Sequence, residues 1–177
     1  VSFQNPVNIE TVFSRITGVN SSEINGILQS EGMANFFLIN PNGIILGEDA
    51  ELDVGGAFFA STADYIEFSD NIEFSASNPD FQPLLNISLP VGLGFTSNAA
   101  DITNRSLFGL EVPEGEILAL IGGNVTVDSS TLFVENGHIE LGAVDGPGIV
   151  SLSFPETEIE FDYSSLDSFQ DVRILNA

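Results

Sequence analysis

The chain of 177 residues has no cysteine, no tryptophan and no lysine, and it has only three arginines. The absence of cysteine excludes disulfides and thiolate chemistry, but it does not by itself fix the cellular compartment. The acidic residues number 26 and give a formal net charge of −23. Because phosphate backbones and anionic lipid headgroups repel such a surface, we expect no nucleic-acid partner and no direct membrane insertion.

Long apolar runs and long helical patterns are also missing from the sequence. No apolar run approaches the ~18 residues that a membrane-spanning helix needs. The chain is nevertheless 43% hydrophobic with 15 phenylalanines, which excludes a disordered acidic tail and predicts one folded domain over residues 1–177. Many short strand-like segments without helical crossovers leave a sandwich, a barrel or a β-solenoid as the fold class, all of them all-β.

A short internal sequence repeat favours the solenoid. The pair Gly55-Gly56 recurs as Gly122-Gly123 in a similar apolar setting, at an offset of 122 − 55 = 67 residues. That offset divides into about three turns of ordinary β-helix length.

The segment Asn40-Pro41-Asn42-Gly43 is the clearest turn signal in the chain. Asparagine, proline, asparagine and glycine each suit one position of a type I turn. Apolar runs lie on both sides, at 36–39 and 44–46, and both are too short for helices. The pattern therefore predicts two buried strands joined at a corner.

In order and spacing, this turn and its flanks, Ile9 to Gly26 and Leu52 to Ala63, closely resemble the secretion domain of two-partner-secretion exoproteins. That family includes filamentous haemagglutinin and the high-molecular-weight adhesins of Gram-negative bacteria. The resemblance implies a right-handed parallel β-helix that is the N-terminal, non-enzymatic targeting domain of a larger secreted or cell-surface protein. It also implies recognition by the periplasmic domains of a partner outer-membrane transporter. The motif carried over from the family places transporter recognition at Asn40, Pro41, Asn42, Gly43 and Ile44.

Residues 74–95 interrupt the strand rhythm with three prolines, Pro79, Pro83 and Pro90. Proline cannot donate a ladder hydrogen bond, so we expect no central strand here. We predict an excursion outside the helix, with a β-hairpin at Leu84–Leu89 packed on the solenoid; a partner-binding loop is the alternative. Solenoid strands are expected to continue afterwards, among them Ile149–Phe154 and Glu158–Tyr163.

The predicted solenoid core is one continuous set of inward-pointing side chains, because successive turns bury the same face. It comprises Phe36, Leu38, Ile45, Leu52, Val54, Phe58, Ile121, Val125, Val127, Ile139 and Leu141.

The sequence contains no recognisable catalytic motif. His138 is the only histidine, and a general base needs an orienting partner, so we expect a structural role for it. A polysaccharide-active β-helix enzyme is the enzymatic alternative. Uronate substrates require cationic side chains, and this chain has no lysine and only three scattered arginines. No particular pair of carboxylates is indicated for glycoside hydrolysis. We therefore predict no catalytic residues and no cofactor.

Two acidic clusters are the candidates for calcium. Glu48, Asp49, Glu51 and Asp53 form one, and Glu156, Glu158 and Glu160 alternate along a predicted strand in the other. Oxygen ligands suit calcium, but alternating acids are the usual solvated face of a half-buried strand. The prediction is no metal site, with calcium as the alternative.

The ends of the predicted helix suggest a second function. Members of the family carry further residues before the position that corresponds to Val1, including a strand that caps the helix. We therefore expect an uncapped first turn here. An uncapped turn offers unpaired backbone groups to another copy. A structural or adhesive subunit that self-associates end to end as a homo-oligomer is therefore the alternative to a secretion domain.

Overall fold

The computed structural model describes residues 1–6, 8–78, 89–154 and 159–176. These residues form short β-strands and no helix, so none of them lies in a helix able to cross a bilayer. The strands are β1 (Ser2–Phe3), β2 (Thr11–Arg15), β3 (Ser22–Ile24), β4 (Ile27–Ser30), β5 (Asn35–Ile39), β6 (Ile44–Leu46), β7 (Glu51–Val54), β8 (Phe58–Ser61), β9 (Tyr65–Phe68), β10 (Glu73–Ser75), β11 (Pro90–Phe95), β12 (Ile102–Asn104), β13 (Leu110–Glu111), β14 (Ile117–Gly122), β15 (Val125–Asp128), β16 (Leu132–Phe133), β17 (His138–Ala143), β18 (Gly148–Ser153), β19 (Glu160–Asp162) and β20 (Val172–Leu175).

Fifteen of these strands form a parallel β-solenoid with three faces. Face A contains β1, β4 and β7, with β13 beside β7 and β16 paired to β13. Face B contains β2, β5, β8, β14 and β17, and face C contains β3, β6, β12, β15 and β20. The chain visits faces B, C and A in turn and completes about five turns. The predicted parallel β-helix is therefore confirmed.

The solenoid interior is built from columns of stacked side chains, because each parallel pair is in register. On face B, Phe36 pairs with Phe58, and Phe58 pairs with Leu118. All three are fully buried and point into the interior. On face C, Ile44 and Ile102 stack in the same way. Burial of one apolar side chain of this size contributes about 1.5–3 kcal/mol, so these columns hold the turns together.

A second, antiparallel sheet covers the outer side of face B. Its strand order is β10-β9-β11-β18-β19. Phe37 and Phe59, which point outward from face B, pack against it together with Ile66 and Leu93. Face B is thus covered on both sides, which explains why every residue of β8 and β14 is buried.

The composition of this outer sheet corrects two expectations. The stretch Pro90–Phe95 is its central strand, paired with β9 and β18. Pro90 is tolerated because it is the first residue of the strand, with a register irregularity directly after it. The strands β18 and β19 were expected in the solenoid and instead pair antiparallel in this sheet. Residues 84–88 of the predicted hairpin lie outside the described residues.

Nine of the eleven predicted core residues point inward by strand register; eight of these are buried or half-buried, and Ile139, on the last turn of face B, is 39% exposed. Ile45 points outward, since it stacks between Glu23 and Thr103 on the outer side of face C. Ile121 also points outward, into the core beneath the antiparallel sheet. Strand alternation fixes which residues share a face, but tertiary packing decides which face is inside.

The recurring Gly-Gly pair does not correspond to a structural repeat. Gly55-Gly56 links face A to face B, whereas Gly122-Gly123 links face B to face C. Hydrogen-bonded residues on neighbouring turns lie 22 or 24 residues apart in two examples: the Ala57 amide donates to Asn35 Oδ1, and the Gln29 side chain donates to that of Asp53. The 67-residue offset instead includes strands of the antiparallel sheet.

Candidate functional site

The predicted turn lies at the corner between β5 on face B and β6 on face C. The Gly43 amide donates to the Asn40 carbonyl at 3.1 Å, which closes the turn. The Asn42 amide donates to Asn40 Oδ1 at 3.0 Å. Gly43 has a φ of +111°, a conformation that other residues rarely adopt. The sequence-based prediction of a turn is confirmed.

Asn40 is completely buried, and its side chain connects this corner to the preceding turn of the solenoid. Its Nδ2 donates to the Asn20 carbonyl at 3.1 Å and to Ser22 Oγ at 2.8 Å. Its backbone amide donates to the Ser61 carbonyl, on the following turn, at 3.0 Å. Because a buried amide is costly unless satisfied, these bonds make Asn40 a structural anchor.

The other four residues of the predicted site differ in accessibility. Asn42 is exposed, and its Nδ2 donates to the Gly18 carbonyl at 2.8 Å. Pro41 is half-buried, whereas Gly43 and Ile44 are buried, with Ile44 in the solenoid interior. A partner of the folded domain would therefore meet Asn42 and one side of Pro41, but not Asn40 or Ile44.

A second corner repeats the arrangement around Asn40. Asn104, at the end of β12, is also completely buried. Its Oδ1 accepts from the Ser106 amide at 3.1 Å, and its Nδ2 donates to Ser130 Oγ at 2.8 Å. The sequence did not single out this site; an asparagine at or directly after the end of a strand, two residues before a polar residue, is the signal that marks both corners. A buried asparagine thus stabilises each of these two corners of the solenoid.

His138 and its neighbours join the solenoid to the antiparallel sheet. His138 Nε2 lies 3.0 Å from Glu140 Oε2, and its ring stacks on Phe161 at 6.0 Å. The Tyr163 hydroxyl donates to Glu140 Oε1 at 2.6 Å. Burial and this hydrogen bond raise the pKa of Tyr163, so the hydroxyl stays a donor. These contacts fit the structural role predicted for His138.

The candidate calcium clusters show no converging ligand set among the described residues. No group of three or more acidic or histidine side chains in that part of the chain could hold a metal ion. In the first cluster, Asp53 accepts a hydrogen bond from Gln29 at 2.6 Å. In the second, Glu156 and Glu158 lie outside the described ranges.

Comparison with known protein families identifies one family whose model matches the whole chain. The family model described as TPS secretion domain, that is, two-partner secretion, matches residues 1–177. A heme/hemopexin-binding protein from Haemophilus influenzae strain Rd is 39% identical over 71 residues, which are 40% of this chain and 8% of that protein. Another heme/hemopexin-binding protein from Haemophilus influenzae is 34% identical over 87 residues, 48% of this chain and 9% of its own length. No solved structure matches the chain.

Proposed function

Since the chain belongs to the family of TPS secretion domains, we propose that it targets a larger exported protein to a partner outer-membrane transporter. Two-partner-secretion exoproteins pass through the outer membrane to the surface or the extracellular space. The family is that of a secretion domain and points away from an enzyme. The chain spans less than a tenth of the two relatives, so their heme and hemopexin binding is not transferred to it.

We further propose that the transporter's periplasmic domains bind the segment Asn40 to Ile44 before the solenoid has closed. The observation that carries this step is the burial of Asn40 and Ile44, both of which are fully inaccessible in the folded domain. In an extended chain the amide of Asn40 is free to donate and accept hydrogen bonds, and the apolar side chain of Ile44 is accessible. Folding then hides these groups, which would release the segment from the transporter.

The test must separate recognition from folding, because Asn40 serves the fold as well. Replacing Asn40 with alanine removes two side-chain donor bonds and two acceptor bonds, at about 1 kcal/mol each. We therefore expect a stability loss of roughly 3–4 kcal/mol, which a domain with ~5–15 kcal/mol tolerates. Asn104→Ala is the matched control, since it empties a similar buried corner outside the proposed segment.

The measurement is the amount of each variant secreted through the partner transporter, alongside its thermal stability after purification. We expect both alanine variants to melt at lowered temperatures, with Asn40→Ala the lower of the two because its side chain loses four hydrogen bonds and that of Asn104 loses two. Secretion of Asn40→Ala should fall at least tenfold, while that of Asn104→Ala should stay within about twofold of wild type. Equal secretion of the two variants would mean that the segment acts only through folding and would refute recognition at Asn40.

Asn42 supplies a second variant with a smaller structural cost. Its exposed side chain donates to the Gly18 carbonyl and to Asn40 Oδ1, so Asn42→Ala should lose about 1–2 kcal/mol. A strong secretion defect in a variant of nearly normal stability would support recognition of this residue. Normal secretion of Asn42→Ala would remove Asn42 from the proposed segment.

A further inference from the structure

We propose that the outer face of the antiparallel sheet binds an arginine side chain of a partner protein, with Tyr65, Glu67 and Glu73 as the contacting residues. These residues belong to β9 and β10. The site lies beside the solenoid and not at either of its ends, and it shares no residue with the segment Asn40 to Ile44. Three features of the described strands support it.

The first feature is a tyrosine ring that lies flat on the central strand β11. Gly92 and Gly94 face outward there, because Leu93 between them points into the core. In strand register, Gly94 pairs with Tyr65 and Gly92 pairs with Glu67. A β-carbon placed on Gly94 would meet three atoms of the Tyr65 ring at once, so one face of the ring covers the glycine. The other face is directed away from the sheet, as a flat surface on which a guanidinium can stack.

The second feature is a pair of like charges beside that ring. Glu67 and Glu73 are direct cross-strand partners, and both point outward because their neighbours Ile66 and Phe74 pack into the core. Like charges in this position destabilise strand pairing. Neither carboxylate forms an ion pair within the part of the chain that the structure describes. A guanidinium placed between the two carboxylates can donate hydrogen bonds to both, which would replace the repulsion by attraction.

The third feature is the electrostatic environment of Tyr65. Burial, together with the charges of Glu73, Glu67 and Asp64, raises the pKa of the tyrosine hydroxyl. The ring therefore stays neutral, and three carboxylates lie close enough to influence it. Asp64 is held in place by Thr96, whose amide and hydroxyl donate to Asp64 Oδ2 at 2.7 and 2.8 Å. A cation over the outer face of the ring would be attracted by the ring and by the carboxylates together.

Charge and shape together favour arginine as the ligand. The chain has a formal net charge of −23 and no lysine, so a cation for this face is expected from another protein. On the inner side of β10 the same chemistry is already present: Arg15 lies 4.5 Å from the centroid of the Phe74 ring and donates to the Ser75 carbonyl at 2.6 Å. A planar guanidinium can stack on a ring and donate two parallel hydrogen bonds to a carboxylate, whereas the ammonium group of lysine offers no such plane.

The test is an NMR titration of the 177-residue protein with two capped tripeptides, Gly-Arg-Gly and Gly-Lys-Gly. It is run at about 0.15 M salt, where attraction to the acidic surface as a whole is screened beyond about 8 Å. Amide signals of residues 65–67, 73–75 and 92–94 should shift and saturate with the arginine peptide. The lysine peptide should bind at least threefold more weakly. Equal binding of the two peptides, or shifts of the same size around Asp53 and Glu111 on face A, would overturn the proposal.

The paired carboxylates are tested by Glu67→Gln, which removes one charge and keeps the shape of the side chain. Binding of the arginine peptide should weaken about three- to tenfold. The melting temperature should stay the same or rise, because the repulsion with Glu73 is removed. Glu51→Gln is the matched control, since Glu51 also lies on the outer side of a strand, next to the inward Leu52. If the control weakens binding as much as Glu67→Gln, or if Glu67→Gln melts at a lower temperature, the assigned site is wrong.

The stacking surface is tested by Tyr65→Leu and Tyr65→Phe, with thermal melting as the check on folding. Leucine still covers Gly94 but has no ring, so the preference for the arginine peptide over the lysine peptide should disappear. Phenylalanine keeps the ring and should keep the preference. A folded Tyr65→Leu variant that still prefers arginine would refute stacking. Should Tyr65→Leu not fold, Tyr65→Phe still decides, because loss of the preference there assigns recognition to the hydroxyl and not to the ring.

Discussion

Replacement of Phe59 by alanine tests whether the antiparallel sheet and the solenoid form one folding unit. Phe59 is 2% exposed and points outward from β8 into the core beneath that sheet. Its ring stacks on Phe37, with centroids 4.1 Å apart and planes 5° apart. Truncation of a buried phenylalanine costs about 3–5 kcal/mol, so the variant should lose a large part of a ~5–15 kcal/mol stability.

Two controls on the same protein calibrate that loss. Phe58→Ala removes the neighbouring ring, which points into the solenoid interior and is fully buried, so a similar loss is expected. Phe133→Ala removes a ring that is half exposed on face A, so it should lose less than about 1.5 kcal/mol. The ratio of the stability loss of Phe59→Ala to that of Phe133→Ala therefore measures how completely the antiparallel sheet buries the outer side of face B.

Chemical denaturation followed by two signals provides the assay. The chain has no tryptophan and two tyrosines, Tyr65 in β9 and Tyr163 just after β19. Tyrosine fluorescence therefore reports on the antiparallel sheet, while far-ultraviolet circular dichroism reports on all strands. We expect coincident transitions in the wild type. A loss below 1 kcal/mol for Phe59→Ala, with the tyrosine signal changing before the dichroism, would refute a shared core.

Two smaller predictions concern the same sheet. Gly94→Ala should lose about 1–3 kcal/mol in denaturant unfolding, because a Cβ at this position would collide with the ring of Tyr65; a neutral result would show that the ring moves aside freely. Raising the pH above about 10 should destabilise the domain, since the pKa of Tyr163 is raised in the folded state and the unfolded tyrosine ionises first. Stability from this group is present below the unfolded pKa and is lost above it. Tyr163→Phe should flatten the alkaline fall in a pH series of denaturation midpoints, and an unchanged slope would contradict the assignment.

Features that depend on residues close together in the chain could be predicted from the amino-acid sequence alone. The turn at Asn40 to Gly43 follows from backbone preferences and a bond between residues three apart, so composition was enough to predict it. Alternation along a strand likewise identifies which residues share a side. The family resemblance implied the parallel β-helix, which the structure confirms, and a secretion function, which the family model supports as far as a TPS secretion domain.

Contacts between distant segments set which side of each strand is inside and which strands lie outside the solenoid. Ile45 and Ile121 look like core residues in sequence, but their orientation depends on register with strands a full turn away. Pro90 starts a central strand because β18, more than fifty residues later, supplies a partner that local sequence does not reveal.

The burial of Asn40 has the same origin. Its side-chain partners, Asn20 and Ser22, lie 20 and 18 residues earlier in the chain. A solenoid brings residues one turn apart into contact, and the spacing of each turn depends on corner lengths that vary along the chain. From the sequence, Asn40 could be assigned to a turn and to a recognition motif, but not to the interior. Its burial is what makes the order of recognition and folding testable.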